Sequence, residues 1–218
     1  MSDLRAFAQN NGWSELVGRV GGGLIRRQRD LLTARRLDAP GFHVGRAPRL
    51  LGLSHMQIGT DFHAGDGLWL EAVVSYGEGA DRVRFEPRLI VGASARLSDN
   101  VHIACLDRVT IGDHLLSGSR VLISDHAHGR YSGEHGSDPA VPPAQRPLHS
   151  SGPVRIGNNV WLGDGVAVLA GADIGDGCVI GANSVVTGTL PAGSVAVGSP
   201  ARAIRRWEPA ARRWLPVV

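Results

Sequence analysis

The stretch VRIGNNVWLGDGVAVLAGADIGDGCVIGANSVVTGTLPAGSVAVGSPARAI, residues 154–204, repeats itself every six residues. Stepping by six from Ile156 meets Leu162, Val168, Ile174, Ile180 and Val186. Ile, Leu and Val make up 54 of the 218 residues, so an unbroken run of six at a fixed start is roughly a one in four thousand event. The residue after each aliphatic is Gly157, Gly163, Leu169, Gly175, Gly181 and Thr187. Four of those six are glycine, the residue that turns at positive φ without strain. Two positions before each aliphatic stand Val154, Val160, Val166, Ala172, Cys178 and Ser184, a second inward set that is small or apolar.

A unit of one short strand and one tight turn, three to a triangular coil, stacks at the interstrand spacing of roughly 4.8 Å and buries its aliphatics in a dry prism. The expected fold is all-β, a left-handed parallel β-helix. The same phase runs upstream through Ile111, Ser117 and Ile123, through Val91, Leu97 and Ile103, and through Ile58, Ala64 and Leu70. The step from Ile103 to Ile111 is eight, which predicts a two-residue bulge. Between Leu70 and Val91, VVSYGEGADRVRF alternates around a glycine-rich turn and reads as a β-hairpin outside the coil.

Residues 124–152, SDHAHGRYSGEHGSDPAVPPAQRPLHSSG, lose the period and hold four prolines and four of the nine histidines. A long loop in a compact fold is usually functional. The chain thus divides into a basic, helical N-terminal segment (1–40), the coil (41–206, with the loop 124–152) and a basic C-terminal tail (207–218). Residues 2–37 are expected to form a helix or two, broken near Gly21-Gly22-Gly23, with Arg26, Arg27, Arg29, Arg35 and Arg36 in the second piece.

Composition narrows the class. Gly plus Pro is 42 of 218 without a triplet period, which excludes collagen-like and disordered chains. Cys105 and Cys178 stand alone, so neither a disulfide scaffold nor a zinc ribbon is expected, and a cytoplasmic setting fits. The first twenty residues show no secretory signal, and no apolar run is long enough to span a membrane. Formal net charge is +3, but the ends are basic around an acidic middle; all 23 basic residues are arginine. Peripheral contact with an anionic surface suits these ends, and no nucleic-acid partner is expected.

Residues 50–206 resemble the bacterial hexapeptide-repeat acyltransferases, closest in look to sugar and polysaccharide O-acetyltransferases related to galactoside and maltose acetyltransferases. The repeat quoted above and the SDHAHG segment at the loop's start carry the resemblance. It implies a homotrimer with acetyl-CoA in the groove between adjacent prisms, no metal, a sugar or glycan acceptor, and a loop histidine as general base. A hydroxyl is a poor nucleophile at neutral pH, and a neutral imidazole can take its proton as the thioester is attacked. His126, paired with Asp125 as in the polysaccharide branch, and His128, which ungapped counting from Ile111 places at the base's position in the galactoside branch, are both candidates. Asp125 or Glu134 would orient the base.

The same resemblance puts Trp161 beside the pantetheine arm and gives Gly163 and Asp164 backbone groups near the thioester. It puts Ala182 and Thr187 against the cofactor, and Arg202 and Arg205 at its phosphates. Gly188 stands where the galactoside branch often has lysine, so that phosphate contact is either missing or supplied by Arg206. Ser98, Asn100 and His102, one coil before the loop, are acceptor candidates if they share its groove. N-acetyl transfer to an amino sugar or amino acid, a γ-class carbonic anhydrase using His126, His128 and His135, and a non-catalytic scaffold are the alternatives.

Overall fold

The computed structural model describes residues 13–79, 82–131 and 134–217, with side chains from residue 23 onward. The inward aliphatics stack into three parallel sheets that form the faces of a triangular prism, a left-handed parallel β-helix. The first face contains strands His43–Val44, His63–Ala64, Arg96–Leu97, Leu116–Ser117, Trp161–Leu162, Val179–Ile180 and Ser194–Gly198. The second contains Arg49–Leu51, Trp69–Ala72, His102–Cys105, Leu122–Ser124, Ala167–Val168 and Val185–Val186. The third contains Met56–Ile58, Arg88–Val91, Arg108–Ile111, Val154–Ile156, Asp173–Ile174 and Thr189–Leu190.

In-register pairing stacks like on like: Ile103 lies on Leu70 and under Ile123, and Ile111 lies between Val91 and Ile156. The second inward set is buried as well, with Val154, Val160, Val166, Ala172, Cys178 and Ser184 at most 1% exposed. Each coil therefore contributes about six inward side chains to one continuous core, which is why aromatic residues are so sparse.

The turn glycines act differently from the sequence expectation. Gly157, Gly163, Gly175 and Gly181 do not take positive φ; that conformation falls two residues later, at Asn159, Gly165, Gly177 and Asn183. What Gly157 and Gly163 supply is closeness. A Cβ on Gly163 would stand 2.7 Å from the Ala182 nitrogen, and one on Gly157 2.3 Å from Asp176 Oδ1. The next coil occupies the space a side chain needs.

The excursion after Ala72 is the predicted hairpin, Ser75–Tyr76 against Val83–Arg84. At the other end, residues after Gly198 turn back as antiparallel strands Ala201–Glu208 and Arg213–Pro216 on the first face. Residues 207–217, read in the sequence as a tail, are thus part of a sheet edge. Trp207 and Trp214 meet there edge to face at 5.5 Å between centroids, contact that composition does not show.

Helix α1 runs Trp13–Leu37 without a break at Gly21–Gly23, while residues 2–12 of the expected helical stretch lie outside the described residues. Glycine weakens a helix but keeps its backbone N–H, unlike proline, so three in a row need not interrupt the hydrogen-bond ladder. The helix is fixed to the first coil by Asp30, which is 4% exposed and pairs with His43 Nδ1 at 2.8 Å. Arg29 Nη2 donates to the Val44 carbonyl at 2.6 Å, and Ala34 and Leu37 pack on the core. Among the described residues no helix is long and apolar enough to cross a membrane.

Candidate active site

One corner of the prism is irregular. From the second face to the third, the step between inward residues is eight in the first and third coils (Leu50 to Ile58, Ile103 to Ile111). The hairpin interrupts the second coil there and the long loop interrupts the fourth. In the third coil the extra residues make a tight turn, Cys105–Arg108, whose successive N–H groups point to one place. Asp125, the first residue beyond strand Leu122–Ser124 in the coil above, fills that place.

Its Oδ1 accepts the Leu106 N–H at 2.8 Å, and its Oδ2 accepts those of Asp107 and Arg108 at 2.8 and 2.7 Å. The side chain is fully buried. Burial works to raise its pKa, but the hydrogen bond to His126 and those from the Leu106 and Asp107 amides outweigh it, and the carboxyl stays below its ordinary value. Asp125 Oδ1 stands 3.0 Å from His126 Nδ1. An ionised carboxylate only accepts, so Nδ1 carries a hydrogen, and in the neutral ring the free lone pair is on Nε2. The His126 side chain is 13% exposed. It is partly shielded from water and has a fixed anion behind it, the arrangement that stabilises an imidazolium once a proton arrives.

His128 has a different setting. It is exposed, meets the Tyr76 ring edge-on at 5.3 Å between centroids, and has Nδ1 3.3 Å from the Tyr76 hydroxyl. That hydroxyl donates to the Ala144 carbonyl at 2.8 Å, tying hairpin to loop. The carboxylate that contacts a candidate base is that of Asp125; Glu134 is exposed farther along the loop.

His102 lies on the outer side of the second face, close enough to His126 to feel its charge. Burial first, and a positive charge on the His126 ring second, lower its pKa and favour its neutral form. It stacks on Trp69 at 4.1 Å and 12°, with Arg49 over the far side of the indole at 5.0 Å. Among the described residues, His102 Nε2 and Trp69 Nε1 are buried without hydrogen-bond partners, and Glu71 Oε2 is 3.8 Å from the former. Trp69 and Glu71 were not singled out in the sequence, although stepping back from Ile103 to its stack partner Leu70 places them beside His102 and Ala104. Ser98 and Asn100 are not brought to this cluster. They occupy the opposite, regular corner, where Asn100 adopts φ 56 and its N–H donates to the Asp66 carbonyl at 2.7 Å.

The residues matched to a cofactor form a second group. Trp161, 51% exposed, projects from the first face between Leu116 and Val179. Gly163 and Asp164 follow at the regular corner directly below Ala182, with Asp164 Oδ1 accepting the Ser119 N–H at 2.5 Å. Thr187 is exposed one coil on, at the far end of the second face; Arg202 and Arg205 lie on strand Ala201–Glu208 beyond Val197 and Val195, inside the outermost strand Arg213–Pro216. The second face, about 15 Å wide at roughly 3.3 Å per residue, separates Asp164 from His126. Cys105 and Cys178 are buried, and burial followed by the Asp125 charge pushes the Cys105 thiol up to about 12, so no thiolate nucleophile is available. Among the described residues no three His, Cys, Asp or Glu side chains converge to hold a metal.

The model of the bacterial transferase hexapeptide (six repeats) matches residues 153–188. Over 160 residues the chain is 39% identical to the putative lipopolysaccharide biosynthesis O-acetyl transferase WbbJ of Escherichia coli, covering 73% of this chain and 76% of that one. The chain belongs to the bacterial hexapeptide-repeat acyltransferases. To the galactoside O-acetyltransferase of Escherichia coli, another member, it is 33% identical over 146 residues, 65% of this chain and 62% of that one, just under two thirds of the relative's length. The hexapeptide-repeat fold also recurs in AntD, an N-acyltransferase from Bacillus cereus, at a TM-score of 0.58 and 17% identity over 77% of this chain and 81% of that chain.

Proposed function

We propose that this acyltransferase moves an acetyl group from acetyl-CoA to a hydroxyl of a sugar or polysaccharide precursor, with His126 as the general base. The observation that carries the reading is the buried Asp125 carboxylate, held by three backbone amides and bonded to His126 Nδ1. Nε2 takes the proton of the acceptor hydroxyl as its oxygen bonds to the thioester carbonyl carbon. The imidazolium then returns that proton to the departing sulfur, so no net charge is left on the enzyme. Asp125 stays ionised throughout and acts as a positioning residue, holding the tautomer and stabilising the charged ring. Among the described residues no carboxylate pairs with His128, which favours His126.

Acetyl-CoA is expected along Trp161, Gly163, Asp164, Ala182 and Thr187, with Arg202 and Arg205 at its phosphates. Apart from Thr187, which stands at His126's own edge of the second face, those residues lie across that face from His126. A base from one copy and a cofactor surface from its neighbour would complete a site, in keeping with a homotrimer. The acceptor contacts are His102, joined by Trp69 and Glu71: an indole edge, an imidazole and a carboxylate suit the ring face and hydroxyls of a sugar. Ser98 and Asn100 would serve only a larger acceptor that crosses the second face. WbbJ and the galactoside enzyme both carry O-acetyl transfer in their names, which supports a glycan or its lipid-linked precursor as acceptor; a cytoplasmic setting with peripheral membrane contact is part of the same proposal.

Calorimetric titration of acetyl-CoA into the wild-type protein and into His126→Ala tests the reading without knowledge of the acceptor. Saturable binding at one site per chain in both proteins is expected, with transfer to sugar acceptors lost in the variant. An absence of binding up to millimolar acetyl-CoA overturns it.

A further inference from the structure

Helix α1 has one face committed to the prism and another that is not. Asp30, Ala34 and Leu37 are on the committed face. Opposite them, Leu24, Ile25, Leu31 and Leu32 are 64%, 72%, 54% and 67% exposed. At about 100° per residue these four span an arc of about 120°, the width of an amphipathic helix's apolar side. Arg35 falls in the middle of the arc, and Arg27 and Arg36 border it, all three exposed. Residues 23–37 contain five arginines and one acid, Asp30, which is buried beneath the helix. Over residues 23–37 the outward surface is therefore aliphatic and cationic, and among the described residues the nearest exposed acid in sequence is Asp38, just past the helix.

We propose that this face of α1 is a docking surface for an anionic lipid bilayer. It assigns the membrane contact proposed above to one element, and it rests on the helix surface rather than on the acyl-transfer chemistry. The aliphatics would enter the boundary between headgroups and acyl chains while the arginine stems lie along them and the guanidinium groups reach phosphates. Guanidinium pairs bidentately with phosphate, so Arg27, Arg35 and Arg36 match a row of lipid headgroups. A protein partner fits the face less well. The desolvated centre of a protein interface is depleted of charge, and Arg35 sits at the centre of this one. The bonds of Asp30 and Arg29 to the first coil prevent α1 from rolling its aliphatics inward.

The test is co-sedimentation of the full chain with vesicles of phosphatidylcholine alone and of phosphatidylcholine with phosphatidylglycerol. Binding to the anionic vesicles, weakened by salt and absent from the neutral ones, is expected. Replacing Arg27, Arg35 and Arg36 together by Gln should weaken it about a hundredfold, at roughly fivefold per charge. Leu31→Ser with Leu32→Ser should weaken it at least about tenfold. These side chains are exposed, so thermal unfolding should be unchanged, and acetyl-CoA titration, which reads the other proposal, should be unaffected. Equal binding to both vesicle types, no binding, or wild-type binding by both variants overturns the proposal. So does a drop in solution mass by light scattering in the serine variant, which would show a second copy covering the face.

Discussion

Two of the prism's corners and the third teach different things. From the first face to the second, and from the third back to the first, every step between inward residues is six in all the coils. Those corners carry left-handed residues such as Asn159, Gly165 and Asn183, and side chains such as Asp164 and Asp176 that cap the amides of the coil beneath. From the second face to the third, the steps are eight, twenty-one, eight, thirty-three, six and, in the last coil, four. Regularity there was exchanged for polar chemistry: the hairpin, the loop, Asp125 and His126 all emerge at that edge. A repeat stabilises each coil through its neighbours, so irregular coils can be carried by regular ones above and below.

The largest expected effect separates the two kinds of corner by function. His126→Ala should lower acetyl transfer by roughly two to four orders of magnitude while leaving acetyl-CoA binding intact. His128→Ala should cost less than about tenfold, since its loss removes a contact to Tyr76 rather than a base held by a carboxylate. The reverse ranking in steady-state assays would move the base to His128 and break the comparison at its centre.

Next in size is a stability effect on the regular side. Leu162→Ala, at 0% exposure in the stack, should cost about 2–5 kcal/mol in urea unfolding, with the KM for acetyl-CoA unchanged in whatever folds. Asp125 belongs to both sides of the comparison. Asp125→Ala leaves the buried Leu106 amide and the part-buried Asp107 and Arg108 amides without their acceptor and should cost at least about 1–3 kcal/mol, the penalty of the one buried donor, whereas Asp125→Asn keeps acceptors for some of them and should lose mainly activity. Because the folded-state pKa of Asp125 is lowered, its contribution to stability is present above the unfolded value near 3.9 and is lost as pH falls through the folded value. The stability gap between wild type and Asp125→Asn should therefore narrow below about pH 4.

The smallest effect concerns His102. Its lowered pKa means that the unfolded chain takes up a proton first as pH falls below about 6.5, so this histidine favours folding above that pH and ceases to do so as pH falls toward its folded value. His102→Gln should flatten the slope of unfolding free energy just below about pH 6.5. An unchanged slope would show that the imidazole is solvated.

Much of the site lay within reach of the sequence. His126 and His128 stand out as histidines on a polar loop where the period fails. The nest for Asp125 does not stand out, because its amides belong to residues 17 to 19 positions earlier. Both halves were nevertheless visible separately, as an eight-residue step and as an Asp-His pair at a loop's start. Trp69 and Glu71 were readable only by carrying the register of Leu70 and Ile103 outward. Ser98 and Asn100 share a coil with His102, but they lie in the regular corner while His102 opens the second-face strand that follows it.

Sequence alone determined the coil, its phase, the hairpin and the loop, because a six-residue period sets at every position whether a side chain points into the prism or away from it. Tertiary structure alone decided what meets at the interrupted corner and which side of α1 stays outside. An insertion has no period of its own, so its side chains are placed by groups in neighbouring coils, and a helix shows its free face only once buried pairs such as Asp30 and His43 have used up the other.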